Sequence, residues 1–559
     1  MKSQSVLVVI FIFIVSTVLL FSLFQKGIYN SHDGEVHVAR IAQFRQALED
    51  GQLPVRWLGN WNFGYGYPAL VYAYSLPYYI GTLLKQLNLS YEEIYKVLIF
   101  SSLFFSGLTF YYFSRNYFPK TASIIGSLFY ISAPYRLADI YERGALAECL
   151  SFIFLPLLFL VVKFLKKEYF GGFLVTSLIV FAVLTTHALT LLVFLPFLLL
   201  FWILEIKKDR VLAAKLLFAL LFGVLLSAFQ ILPMIFEQKY VELDKTYFNI
   251  FQGTFISINQ LLRIPKEGVN IGTGIQLGLA QSSVILLSLV LAGYEFLARR
   301  SFDKFTIFFL ITSLVAALLT LDISKSVWLT FKPLTTVLFP WRFLTLTTFS
   351  AAILASLLTN RFVNSIYSFI IMLILIFIAL YPSRHYWKGQ GWHTFENNYY
   401  QSYPDPLKLD NYYLPKGLRA NLQKLQLEPV SAVDGDGVVS LLKKQSNLIT
   451  TQISSTHASK IQFHTMYFPG WTLSIDNKQS FSANKKTEKT EIIKDYPNLE
   501  GIIVAQVPKG NHIVTLEFME TPLRRAANLL SLFGFMVLVA IVLARNYLAQ
   551  FSRKVKQVL

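Results

Sequence analysis

The stretch HDGEVHVARIAQF, residues 32–44, sets a carboxylate, two imidazoles and a guanidinium side by side. Asp33, His37, Arg40 and Phe44 recur at separations of four, three and four, which puts them on one face of a helix predicted to start near Gly34. On such a face a carboxylate can take a proton from an acceptor hydroxyl while Arg40 meets a phosphate. His32 and Glu35 stand beside them. Asp33 also suits an N-cap, where it would only satisfy free backbone N–H groups.

A second group lies in PYRLADIYERGALAEC, residues 134–149, where Arg136, Asp139 and Arg143 fall at i, i+3 and i+7 with Glu142 and Glu148 nearby. Its plainer reading is a helix ion pair between Asp139 and Arg143. Weaker signals are His187 in LTTHALT, read as an acceptor contact or a packing histidine, and Trp341 with Arg342 in FPWRFL, read as a lipid-phosphate contact or an interfacial anchor. DGDG at 434–437 resembles a calcium-loop fragment without its later ligands and reads as a turn. No Walker loop, Rossmann glycine pattern, HExxH or GxSxG is present. Cys149 is the only cysteine, which excludes an intrachain disulfide and a cysteine-rich metal site.

These groups need a scaffold, and the composition says which kind. Over 559 residues the chain is 54% hydrophobic and only 15% charged, too little polar surface for a soluble globule of this length. Residues 5–25 carry no charge, are long enough to cross a hydrocarbon core, and lead into FSLFQKG, which lacks a small-residue cleavage pattern; they read as a retained anchor. Further spans are predicted near 94–113, 121–134, 149–164, 171–186, 189–205, 213–236, 276–297, 304–321, 343–359, 363–381 and 526–546, about twelve in all. Much of the net charge of +18 lies in short clusters between them, so it marks topology rather than nucleic-acid binding.

The tyrosine-rich segment 68–87, broken by Pro77, decides the topology. If it lies against the outer face with its tyrosines at headgroup depth, the basic clusters at 115–120, 163–167, 207–210, 299–304, 361 and 553–556 all share the side of Lys2. The chain then reads as a multi-pass plasma-membrane protein with both termini cytoplasmic. Residues 1–382 form the membrane domain with outer loops 26–93, 135–148, 237–275 and 322–342. Residues 383–521 form an extracytoplasmic β-rich, sandwich-like domain that folds alone and offers exposed aromatics such as Trp471 to a glycan. Residues 522–559 supply the last span and a basic tail.

The order of anchor, acidic first loop, tyrosine-rich interfacial helix and second polar loop resembles the GT-C superfamily of integral-membrane glycosyltransferases. HDGEVH, DIYERGALAE, THAL, FPWRFL and the distal YFPGW together resemble more closely the bacterial membrane-protein family labelled 6-pyruvoyl-tetrahydropterin-synthase-related, along nearly the whole chain. No zinc-histidine set for the soluble synthase activity accompanies that label. The resemblance implies a sugar moved from a polyprenyl-phosphate donor to a glycan, lipid or protein acceptor at the outer face, with Asp33 in the place of the first-loop catalytic acid. Arg40, Arg136, Arg143 and Arg342 become the donor-phosphate ligands, and His32, Glu35, His37, Asp139, Glu142 and Glu148 supporting groups or second acids. The acidic pair of the relatives appears here as Asp33-Gly34-Glu35, which leaves a divalent cation open and calls for no other cofactor. The other readings are a flippase of lipid-linked sugars, a transporter, which for charged or proton-coupled substrates would carry ionisable groups inside its spans, and a non-catalytic protein of envelope assembly.

Overall fold

Backbone groups in hydrocarbon have no water to bond, so apolar segments satisfy themselves as helices. The computed structural model of the chain describes residues 2–558 except 242–250, 264–273, 301–302, 363–364, 403–412, 420–421, 423–427, 477, 483–484, 487–491, 494–496 and 498. Parts of the expected 237–275 loop, the 363–381 span and the 383–521 domain thus lie outside the described residues. Among the described residues, six helices are long and apolar enough to cross a bilayer: Tyr91–Ser114, Tyr169–Ile206, Leu279–Ala298, Pro340–Phe362, Phe369–Tyr386 and Pro522–Arg545. The pair Arg210–Leu226 and Ala228–Phe236, bent by 76°, makes seven if counted as one span.

Twelve spans are therefore not reached by length and composition. The anchor is an 18-residue helix, Lys2–Leu19, followed by a 3-10 turn. The segment expected at 121–134 is the 12-residue helix Lys120–Ile131. That at 149–164 breaks into Leu146–Ser151, Leu155–Leu158 and Val161–Lys167, with Pro156 near the start of the middle piece, where its missing N–H is tolerated.

The stretch Tyr169–Ile206 is interrupted at His187, whose φ of −161° and ψ of 85° are not helical. A straight helix of 38 residues would hold its ends about 57 Å apart. Instead Lys166 donates to the Glu205 carbonyl at 2.8 Å, while Glu168 caps the helix start through the Phe170 and Gly171 N–H groups. The chain therefore reverses at His187, and both ends return to one end of the bundle. Lys163, over the Tyr117 ring, and Arg545, 3.4 Å from Glu168, lie at that same end.

At the centre runs Phe343–Phe362, buried from Phe343 to Thr359. The Phe349 ring meets those of Phe110, Phe113, Tyr130, Phe159, Phe194 and Phe309 at centroid distances of 4.7–6.1 Å, so five neighbouring segments converge on one side chain. Gly126 lets Lys120–Ile131 approach closely: a Cβ there would stand 2.0 Å from the Ser356 hydroxyl. This central helix starts immediately after Arg342 and ends near Arg361, so it connects the two ends of the bundle.

Residues 68–87 form two short helices, Ala69–Tyr72 and Leu76–Leu84, neither long enough to cross. Two of the tyrosines expected at headgroup depth turn into the protein. Tyr72 and Tyr78 are buried, because their hydroxyls have inward partners: the Glu237 carbonyl at 2.8 Å and the His37 ring at 3.0 Å.

The described residues of the β region form two antiparallel sheets. One has the order Ile492–Ile493, Ile502–Val507, Ser459–Met466, Val430–Asp434; the other runs Val438–Gln445, Leu448–Ser455, Gly510–Phe518, Trp471–Ile475, Lys478–Ser482, Lys485–Lys486. Trp471, expected to be exposed for a glycan, is 1% exposed. It packs edge-to-face on Trp57 at 5.3 Å and against Phe518, seating the sheet on the first loop. Residues 383–402 stay with the membrane part, where Gln390–His393 pairs with Ile28–Asn30. The DGDG segment is a turn in which Asp436 accepts from the Thr456 and His457 N–H groups.

A buried ion pair joins the last helix to the bundle, and its Arg524 also donates to the Pro469 carbonyl of the β region at 3.1 Å. Glu237 meets Arg524 at 2.8 Å, the two side chains 3% and 0% exposed, and the Thr521 hydroxyl donates to the other carboxylate oxygen. Glu237→Gln should cost about 3–5 kcal/mol of unfolding free energy, because it strands a buried cation. Replacing both Glu237 and Arg524 with Leu should recover most of that loss, and equilibrium unfolding in detergent measures both.

Candidate functional site

Two loops distant in sequence are joined by their backbones. His32 N–H donates to the Glu142 carbonyl at 3.0 Å and Asp33 N–H to the Arg143 carbonyl at 2.8 Å. Gly144 permits this approach: its φ is +65°, and a Cβ would stand 2.7 Å from the Gly34 nitrogen. Gly34–Glu49 is helical, with Asp33 at the N-cap position, yet the Asp33 side chain makes no cap hydrogen bond. Ser31 Oγ accepts the Gly34 N–H instead, at 3.1 Å.

Pro134–Ala138 is α-helical, but Asp139–Arg143 winds as one π turn. The wider turn rotates Arg143 off the expected stripe with Arg136. Arg136 goes inward, donating to Ser102 Oγ and the Cys149 carbonyl at 3.0 Å each and covering the Phe152 ring at 4.2 Å. Arg143 bonds Asp139 and, at 2.8 Å, Glu148. Glu148 also lies 3.4 Å from Arg342 Nε and accepts from Tyr135 at 2.6 Å. The expected ion pair therefore exists, but within a buried set of two carboxylates and two guanidiniums.

These segments enclose a cavity of about 440 Å³. Its wall includes His32, Asp33, His37, Arg40, Arg143, Glu148, His187, Trp341 and Arg342, so nine of the residues singled out from sequence meet there. Leu184, Leu189, Met234, Leu338 and Phe339 make an apolar side. His32 and Asp33 are exposed, whereas His37, Arg40, Arg143, Glu148, His187 and Arg342 are buried. Arg136, Asp139, Glu142 and Glu35 do not line it; Glu35 accepts from the Tyr399 hydroxyl at 2.6 Å.

Burial and then the neighbouring Glu148 push the Asp139 carboxyl up to about 7. Burial would raise Glu148 as well, but Arg143 and Arg342 outweigh it and hold Glu148 well below the usual carboxylate range. Among the described residues no group of three or more His, Cys, Asp or Glu side chains could hold a metal ion. Asp33 lines the cavity and Glu35 does not, so the two do not supply a joint donor set at its wall.

Tyr74, Gln230 and Tyr413 line the cavity without having been singled out from sequence. Tyr74 stacks on Tyr78 and meets the His187 ring edge at 5.9 Å. The clustering of tyrosines in 68–87 was its signal, assigned there to lipid headgroups. His187 Nδ1 bonds Thr190 Oγ1 at 2.6 Å, which fixes the ring at the reversal of the chain.

His37 bonds the Tyr78 hydroxyl through Nδ1, and burial, then Arg40, hold its pKa well below the ordinary 6.5. The unfolded chain therefore takes up this proton first. The neutral ring favours the folded state above pH 6.5, and that contribution is lost as the pH falls below it. His37→Gln should flatten the acid limb of a plot of melting temperature against pH.

Comparison with curated proteins finds no match. Among solved structures, the oligosaccharyltransferase of Archaeoglobus fulgidus, in complex with zinc and sulfate, is similar at 13% identity with a TM-score of 0.34 over 69% of this chain. The chain spans about half of that protein, 54% of its length, and a likeness at this score carries no argument about fold or site. The family model described as a 6-pyruvoyl-tetrahydropterin synthase related domain, membrane protein, matches residues 70–387, more than half of the chain. It takes in Asp139 to Glu148, His187, Trp341 and Arg342 and begins after Asp33. This chain belongs to that family of membrane proteins.

Proposed function

We propose that the chain is a GT-C-like glycosyltransferase that moves a sugar from a polyprenyl-phosphate donor to an acceptor at the extracytoplasmic face of the plasma membrane. The observation that carries this reading is the Asp33 carboxylate, which sits at an N-cap position without serving as a cap and instead lines a cavity shared with three guanidiniums. Asp33 takes the proton from the acceptor hydroxyl, whose oxygen attacks the anomeric carbon in line with the departing group. The bond from that carbon to the lipid phosphate breaks, and the phosphate leaves with the electron pair, with inversion at the sugar. Arg143, Arg342 and Arg40 meet the charge that develops on it. The apolar wall suits the lipid. No nucleotide loop is needed, because the sugar arrives activated.

Orientation rests on the two ends of the bundle. The His187 reversal lies at the cavity end, about 27 Å of helix from the cluster of Lys163, Lys166 and Arg545. Basic clusters favour the cytoplasm, which leaves the cavity and the β region outside. In a Cys149→Ser background, single cysteines at Lys167 and Ile323, the latter 74% exposed, should label from opposite sides of intact cells, Ile323 from outside. Labelling of both from one side would reject the orientation.

Asp33→Asn keeps the side-chain shape and should insert and purify normally. Transfer from decaprenyl-phosphate-linked hexoses should fall at least about a hundredfold, the scale for loss of a general base. Asp139→Asn, away from the wall, should cost far less. Activity of Asp33→Asn within a few-fold of the parent would remove Asp33 as the base.

A further inference from the structure

Glu35 stands two positions after Asp33, yet its partner lies more than 360 residues away. Tyr399 Oη donates to Glu35 Oε1 at 2.6 Å. Tyr399 belongs to the short helix Asn397–Ser402, and the segment around it grips the first loop at several further points. Gln390–His393 pairs with Ile28–Asn30, and both the Phe395 N–H, at 3.0 Å, and the Tyr400 hydroxyl, at 2.8 Å, reach Glu92 Oε1. Asn60 Nδ2 donates to the Gln401 carbonyl at 3.1 Å. The Phe395 and Tyr399 rings stack at 4.2 Å, which makes the segment one stiff piece.

The chain before Asp33 is thus held by a strand pair, and the helix after it by the Glu35 to Tyr399 bond. The Asp33 side chain makes no cap hydrogen bond at this helix start. We propose that residues 390–402 form a clasp and that Glu35 is a positioning residue, fixing the first turn of its helix so that the Asp33 carboxylate faces the cavity. Glu35 acts here as a hydrogen-bond acceptor, a role its amide analogue also fills, and not as a second acid or cation ligand. The inference rests on Asp33 being the base, since only then does its aim affect rate.

The test uses the full chain in detergent micelles with decaprenyl-phosphate-linked hexoses, and two kinds of readout. Amide exchange over residues 31–38 should speed up about tenfold in Tyr399→Phe and in Glu35→Ala, while Glu35→Gln stays close to the parent. Where transfer is measured, kcat should fall about tenfold in Tyr399→Phe and Glu35→Ala with KM unchanged, and Glu35→Gln should lose no more than about threefold. Unaltered exchange in Tyr399→Phe would overturn the clasp. So would a Glu35→Gln protein as inactive as Asp33→Asn, or Mn²⁺ binding seen by electron paramagnetic resonance in the parent and lost in Glu35→Gln. Absence of transfer by the parent would instead reject the glycosyltransferase reading, and the exchange rates would still decide the clasp.

Discussion

One buried carboxylate ties the polar centre of this protein together. Glu148 is 2% exposed and lies among groups from three elements: Arg143 at 2.8 Å, Arg342 at 3.4 Å and Tyr135 at 2.6 Å. A lone ion at such a depth is costly, and a guanidinium no less so. Each therefore requires the other, and the loop that carries Arg143 cannot separate from the helix that begins after Arg342 without stranding a charge. The π turn and the chain reversal at His187 are the local distortions that border this arrangement. The distortion at Asp139–Arg143 supplies the extra residue that brings Arg143 round to Glu148.

Apolar packing and polar chemistry divide the bundle between them. The rings around Phe349 hold the middle of the membrane part, where no ionic group is needed. The buried ionic groups around Glu148 lie at the cavity end, where segments 32–40, 72–74, 143–148, 184–189, 230–234 and 338–342 line one cavity. Glu148 neutralises part of the charge on Arg143 and Arg342, so the wall does not confine an unpaired cluster of cations.

Much of the site was legible because its residues sit on short, dense motifs. The four, three, four spacing from Asp33 predicted a helix, and Gly34–Glu49 is one, with Asp33, His37 and Arg40 at the cavity. The placement of Arg136 was not legible, since an α-helical period puts it beside Arg143 and only the π turn separates them. The inward partners of Tyr72 and Tyr78 were not legible in a tyrosine-rich composition, which does not reveal that Tyr78 finds His37 and Tyr72 the Glu237 carbonyl. Trp471 has the same lesson: an aromatic beside a Pro-Gly turn looks exposed until Trp57, more than 400 residues earlier, covers it. The count of twelve spans is not confirmed where short helices and breaks replace long regular helices, since hydropathy measures apolar length and not continuity.

The pairing of Ile28–Asn30 with Gln390–His393 has a temporal side. A ribosome delivers the chain from its N-terminus, so the first loop leaves the translocation machinery long before its partner strand has been made. Until residue 393 has been synthesised and has reached the same face, Ile28–Asn30 presents an unpaired edge and the helix beginning at Gly34 lacks its outer contacts. Any product that stops short of that point can insert its early helices, yet cannot complete the loop that carries Asp33. The outer contacts of the Asp33 loop therefore close only after residue 393, when the helices up to Phe369–Tyr386 have already been made.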